Sequence, residues 1–226
     1  MKHTSQKDSV EMLRNCPFFE CLDQSALVEV SGLAHKHTYQ PGQIIILQGS
    51  LCTSAYFIGK GWVRASIVSL DGREQVMIRL GPGDAFCLVA ALDNGPNPAT
   101  IQATTDVTVY ALRKEYLVRI MEQHPAIALA VIENLAAKVR HFSSLVEDLS
   151  LRSVEARLAK LLLRLAQEHE LAHPRMTRKE MAAELGTVRE VVARTLRRLE
   201  REDIIRFDRH RIMILDRAAL EEKTWV

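Results

Sequence analysis

Six apolar residues, Ile132, Leu135, Val139, Phe142, Val146 and Leu149, recur at spacings of 3, 4, 3, 4 and 3. That is the a/d pattern of a helix seam, and no glycine or proline interrupts the chain between Pro125 and Leu149. Lys138, Arg140, Ser143, Glu147 and Asp148 flank the stripe, which is therefore narrow with a charged opposite side. A seam this regular calls for a second apolar surface, and a parallel helix pair between two copies of the chain supplies one. The expectation is a homodimer. The seam also divides the chain, because the residue patterns before and after it differ.

Before it, residues 16 to about 113 read as many short strands. "YQPGQIIILQG", "SAYFIGKGWVRASIVS", "EQVMIRLGPGD" and "TIQATTDVTVYAL" are β-branched runs broken by Gly, Pro or Asp-Gly. Asp71-Gly72 predicts a hairpin turn between "VRASIVSL" and "REQVMIRL". A compact antiparallel barrel or roll follows. The period changes at His124-Pro125.

After the seam, "SVEARLAKLLLRLAQEHE" predicts an amphipathic helix with Ser153 as N-cap, followed by a loop containing His173-Pro174. Thr177 and Glu180 then make an S/T-x-x-E capping box, and Gly186 suits the left-handed residue of a tight turn. A second helix from about Val188 to Arg201 puts Met181, Leu185, Val192, Leu196 and Leu199 on inner faces. That is a helix-turn-helix pattern, and "IIRF", "DRH" and "RIMIL" read as a two-stranded wing behind it. Its outer face carries Arg189, Glu190, Arg194, Arg197 and Arg198. Arginine grips guanine O6 and N7 bidentately, and Glu accepts from cytosine N4.

The fold class is therefore α+β, with a sensing segment over 1–124, a dimerisation helix over 125–151 and a winged helix-turn-helix over 152–226. Charge agrees with that division. From Leu151 onward there are 17 Lys+Arg against 13 Asp+Glu, and 13 against 15 before it, so a mildly acidic front precedes a basic tail suited to nucleic acid. No apolar run approaches the roughly 20 residues of a membrane span, and "MKHTSQKDSVEML" lacks a signal-peptide apolar core. A cytoplasmic protein with no membrane partner is expected. No Walker, dinucleotide-glycine or HExxH pattern and no nucleophile–base constellation is present, so no enzyme is expected.

With these residues in view, the chain resembles, over essentially its full length, the CRP/FNR superfamily of bacterial transcription regulators. The resemblance rests on "TRKEMAAELGTVREVVARTLRRLE", on "GPGD" at a strand end, on "HP" before the long helix and on the wing "IIRFDRHRIMILD". It implies a cyclic-nucleotide-binding-like β-roll ahead of the winged helix-turn-helix, with double-stranded DNA as partner and RNA polymerase as a further one if the protein activates. Arg189, Glu190 and Arg194 match the base-reading Arg, Glu and Arg of the cAMP-receptor branch, which implies a palindrome of TGTGA-type half-sites. The FNR branch has an apolar residue and a Ser where this chain has Arg189 and Ala193. Thr177, Arg178 and Arg197 match positions at or near phosphates.

In the cAMP-binding members a Glu holds the ribose and an Arg the cyclic phosphate. Aligned without gaps, "GDAFCLVAALDNGPNPATIQA" puts Leu88 and Pro98 there, with Ala99 and Thr100 following. Proline removes both the cation and an N–H, so cAMP is not the expected effector. What is left is an apolar pocket of Phe86, Cys87, Leu88, Val89, Leu92 and Pro98. The effector itself is open among three readings. One is haem with a diatomic gas, since "DNGPNPATIQA" resembles the nitric-oxide-responsive DNR branch and "GDAFC" the CO-sensing haem branch, although Val89 stands where the latter has His. Axial-ligand candidates are Cys87, His141, His35 and His37. The second is an iron–sulfur cluster on Cys16, Cys21, Cys52 and Cys87. The third is an apolar organic ligand or direct thiol oxidation.

Overall fold

The structure, a computed structural model, describes residues 6–168, 176–208 and 211–225. The chain divides into two compact units, 1–67 with 77–140, and 68–76 with 141–226.

The first unit opens with helices rather than with strands. Helix α1 (Gln6–Arg14) precedes the stretch read as strands, and a 3-10 turn (Pro17–Phe19) and α2 (Gln24–Leu33) occupy its start. Helix α2 is started locally, by Asp23, whose carboxylate accepts from the Ala26 N–H at 2.8 Å. The strands follow as β1 (His35–Tyr39), β2 (Ile44–Ile46), β3 (Ser54–Lys60), β4 (Val63–Val68), β5 (Glu74–Leu80), β6 (Ala85–Phe86), β7 (Thr100–Ala103) and β8 (Val107–Arg113). They form two four-stranded sheets, in the orders β1-β8-β3-β6 and β2-β7-β4-β5. The roll is interrupted by helix α3 (Leu88–Asp93) and closed by α4 (Lys114–Gln123), which leads into the 27-residue α5 (Pro125–Leu151).

Alternation on the strands builds two cores. On β3, Ala55 and Phe57 face one way and Ile58 the other. Phe57 packs against Phe18 and Phe19 at ring distances of 5.3 and 4.9 Å, within a cluster that includes Leu112, Leu117, Ile127 and Val131. Ile58 joins Val63, Ile101, Val107 and Val109 between the sheets. The β3–β4 turn requires Gly61: its φ is +82°, and a Cβ there would lie 2.1 Å from the Asp106 carbonyl oxygen. The Asp71-Gly72 hairpin forms as expected, with Gly72 at φ +80° and the Ser69 N–H bonded to the Arg73 carbonyl at 2.9 Å.

In the second unit α6 (Val154–Glu168), α7 (Arg178–Leu185) and α8 (Arg189–Arg201) precede strands β9 (Ile205–Asp208) and β10 (Arg211–Ile214) and helix α9 (Arg217–Glu222). Ser153 caps α6 through the Ala156 N–H at 3.1 Å. Strands β9 and β10 pair antiparallel as the expected wing. The His173-Pro174 loop and the wing tip at 209–210 lie outside the described residues. Leu158, Leu162, Met181, Leu185, Val192, Leu196, Leu199 and Ile205 close one core.

Candidate nucleic-acid interface and sensor cassette

The reading head is assembled from local signals. The Glu180 N–H donates to Thr177 Oγ1 at 3.2 Å, and the Thr177 N–H to Glu180 Oε2 at 2.6 Å, a complete capping box. Helix α7 ends where Gly186 turns left-handed at φ +61°, and the N–H groups of Gly186 and Thr187 both satisfy the Ala182 carbonyl. Helix α8 then starts at Arg189 with Val192, Leu196 and Leu199 fully inward. Thr177→Ala should lower the unfolding free energy by about 1 kcal/mol, measured as a shifted denaturation midpoint with an unchanged slope.

Turned outward by this packing, Arg189, Glu190, Arg194 and Arg197 are exposed. Thr177, Arg178, Lys179, Arg189, Glu190, Ala193 and Arg197 line one groove of about 540 Å³. Five of the six residues expected to read bases or hold phosphates therefore share a concavity, and Arg194 stands exposed on the same helix. Lys179 is a further cation there that spacing did not single out.

Arg198 departs from the outer-face reading. It bonds Glu155 on α6 and pairs with Glu202 at 3.3 Å, while Lys223 pairs with both carboxylates at 3.3 and 2.6 Å. The lysine hydrogen bond holds the Glu202 carboxyl below its usual range. Arg198 fastens the back of α8 to α6; it is not placed to read.

The expected seam lies along α5. Ile132, Val139 and Val146 are 60%, 64% and 62% exposed in the single chain, Leu149 is exposed, and Leu135 and Phe142 are half-buried. Leu129, 60% exposed, extends the apolar surface by a turn. Leu135 also packs on the sensor core.

The cassette is less uniform than its apolar string suggests. Helix α3 is bracketed by two left-handed non-glycine residues, Cys87 (φ 59°) and Asn94 (φ 61°). That turn sends consecutive side chains to different cores. Phe86 and Cys87 join the cluster between the sheets, Phe86 stacking on Tyr56 at 5.0 Å, whereas Leu88 and Leu92 pack with α1, α4 and α5. Val89 and Pro98 are exposed. The six residues expected to line one pocket therefore do not converge.

Two features of the cassette have no local sequence signal. Lys138 of α5 donates to the Ala85 carbonyl at 2.7 Å, and burial holds its ammonium below the usual lysine range, against the nearby Asp84 and Cys87. The second feature is a thiol pair. Cys52, 8% exposed, and Cys87, 7% exposed, are buried in the same cluster between the sheets. The Cys87 sulfur is 3.5 Å from Oδ1 of buried Asn97, and Cys52 is 3.1 Å from the Ser54 carbonyl oxygen. The Cys87 side chain holds Cys52 below the ordinary thiol range. Cys87 in turn is held above it by Cys52 and by burial.

The four cysteines, placed this way, do not fit an iron–sulfur cluster. Cys16 sits in the other core, where burial pushes its thiol up to about 12, and Cys21 is exposed. Among the described residues no three His, Cys, Asp or Glu side chains group as metal ligands. Haem does not fit the candidate ligands either. The Cys87 sulfur is engaged by Asn97 inside a packed cluster, and His35, His37 and His141 are exposed.

A β-roll carrying a cassette, followed by a long helix and a winged helix-turn-helix with a basic groove, defines a sensor joined to a DNA-binding head. Comparison with known proteins agrees. Residues 36–124 match the cyclic nucleotide-binding domain family and residues 156–223 the Crp-like helix-turn-helix domain. The chain is 28% identical to the cyclic AMP receptor protein of Thermus thermophilus over 93% of its own length and 97% of that protein's. It is 25% identical to a CRP-like cAMP-activated global transcriptional regulator of Mycobacterium tuberculosis, covering 94% and 98%. A solved protein from Eubacterium rectale, assigned to the CRP/FNR family, superposes with a TM-score of 0.78 at 26% identity, covering 94% and 100%. The chain belongs to the CRP/FNR superfamily and is a DNA-binding transcription regulator of that type. Among the described residues no helix is long and apolar enough to cross a membrane.

Proposed function

We infer that the protein works as a homodimer, divided functionally at about residues 124 and 151, that reads a palindrome of TGTGA-type half-sites and is gated by an effector other than cAMP. The observation that carries the DNA reading is the groove between α7 and α8, where Thr177, Arg178 and Arg197 surround the base-reading candidates Arg189 and Glu190. Phosphate contacts at a helix start fix orientation, and the neighbouring side chains then reach base edges. Arg194→Ala should weaken binding by roughly 1–3 kcal/mol and relax preference at one guanine. Gel shifts of wild type and variant on the palindrome and on singly changed sites measure both effects. Unchanged affinity and unchanged preference would remove α8 as the reading helix. If the protein activates, RNA polymerase is its further partner.

For the effector, Leu88 and Pro98 speak against cyclic nucleotide. Leu88 is buried in the helical core and Pro98 brings no charge. Among the described residues three cations bond the cassette, and each is already engaged: Lys138 holds the Ala85 carbonyl, Lys114 the Leu92 carbonyl and Asn94 Oδ1, and Arg64 the Gln102 Oε1. Of the remaining readings, thiol chemistry is the one the side chains support, because two buried cysteines share one cluster inside the roll.

A further inference from the structure

We propose that Cys52 and Cys87 are a reversible dithiol–disulfide pair, oxidised by hydrogen peroxide, at the point where the dimer helix grips the sensor roll. The chemistry stands on the geometry of the roll, and only its consequence for DNA rests on the regulator reading.

Four thiols are present, and only two of them share a core. Cys16 lies in the other core, its sulfur 3.9 Å from the Gly83 carbonyl oxygen, and Cys21 is exposed. Cys52 and Cys87 share one buried cluster although 35 residues separate them, and Asn97 links their loops: its Oδ1 is 3.5 Å from the Cys87 sulfur and its N–H donates to the Ser50 carbonyl, two residues before Cys52, at 2.8 Å. Neither stands inside a strand. Cys52 belongs to the connection between β2 and β3, and Cys87 is the left-handed residue ahead of α3. A disulfide needs its sulfurs at about 2.05 Å, and backbone at a loop and a helix start yields more readily than backbone fixed in a ladder. The Lys138 ammonium near Cys87 favours negative charge on the pair, and the Cys87 side chain favours it on Cys52.

The step balances as follows. The Cys52 thiolate attacks one peroxide oxygen, the O–O bond breaks, and hydroxide leaves with the former Cys52 proton as water. Cys52 is then a sulfenic acid. The Cys87 sulfur attacks the Cys52 sulfur, the S–O bond breaks, and a second hydroxide leaves with the Cys87 proton as water. Two thiols and one peroxide give one disulfide and two waters, with two electrons passing from sulfur to oxygen. Closing the bond moves Cys87, two residues from the carbonyl that Lys138 of α5 holds. The oxidation state of the pair thereby acts on the dimer helix.

The test uses the full chain carrying Cys21→Ser, which removes the exposed thiol. Protein treated with hydrogen peroxide is denatured, alkylated, digested and mapped by mass spectrometry. The expected product is one cross-linked peptide pair joining Cys52 to Cys87, lighter by two hydrogens and released by dithiothreitol, and absent in Cys52→Ser. Cys52 and Cys87 both still alkylatable, or Cys52 over-oxidised beside a free Cys87, overturns the pair. That mapping on the parent chain decides the point even if Cys52→Ser fails to fold. In parallel gel shifts, oxidation should change palindrome affinity by about tenfold, reversed by reductant. Reduced protein that binds the palindrome but forms no cross-link rejects the pair and leaves the regulator intact. A cross-link with no DNA binding in either state supports the pair and rejects the palindrome reading. A cross-link with equal affinity in both states overturns the coupling to α5.

Discussion

Val139→Asp should convert the protein to a folded monomer and weaken its binding to a two-half-site palindrome by about 10²–10⁴-fold. Val139 is 64% exposed in the single chain, between Ile132 and Val146, which are equally open. These three are a positions, and the d positions hold Leu135, Phe142 and Leu149. β-Branched residues at a with Leu at d favour two parallel strands, and in that arrangement residue 139 of one copy faces residue 139 of the other. Two carboxylates would then meet in an apolar seam, where desolvation and like charge both oppose association. A monomer holds one half-site without the second as an intramolecular partner. Light scattering reports the mass and circular dichroism the fold. A dimer mass at micromolar concentration would show that α5 is not the interface.

The second large effect is on stability. Leu196→Ala should destabilise the reading head by about 2–5 kcal/mol. Leu196 is 1% exposed in the core that Leu158, Leu162, Met181, Val192 and Leu199 complete, so the deleted methyls leave a cavity that rigid helices on several sides cannot close. Hydrogen exchange should show α6, α7 and α8 losing protection while β3 and β8 keep theirs. Equal protection in wild type and variant would mean that the core tolerates the cavity, against its packing.

What was legible in the sequence was local. Thr177 with Glu180, Gly186 and the inward spacing of Val192, Leu196 and Leu199 act within a few residues of one another, and the structure realises each as read. The seam on α5 is equally local. Helix α2 was lost among strands because "PFFECLDQSALVEVSGLA" is a short apolar run with no clear helical period next to the strand-rich segment, and only the Asp23 cap betrays it. The cassette failed differently. A continuous apolar string looks like one pocket, but the left-handed turn at Cys87 sends Leu88 to a different core from its neighbour. Lys138 reaching Ala85 and Cys52 sharing a cluster with Cys87 span 53 and 35 residues of chain, distances over which a single sequence carries no pairing information.

The tether on Arg198 has a consequence for how binding responds to ionic strength. Helix α8 carries Arg189, Arg194, Arg197, Arg198 and Arg201, and a count from sequence would treat each as a cation that displaces counterions from DNA. Arg198 is already neutralised by Glu155 and Glu202. Each phosphate contact contributes roughly 0.9 to the slope of log affinity against log salt concentration. A dimer should therefore respond less steeply than its arginine count implies, by roughly 0.9 for each copy.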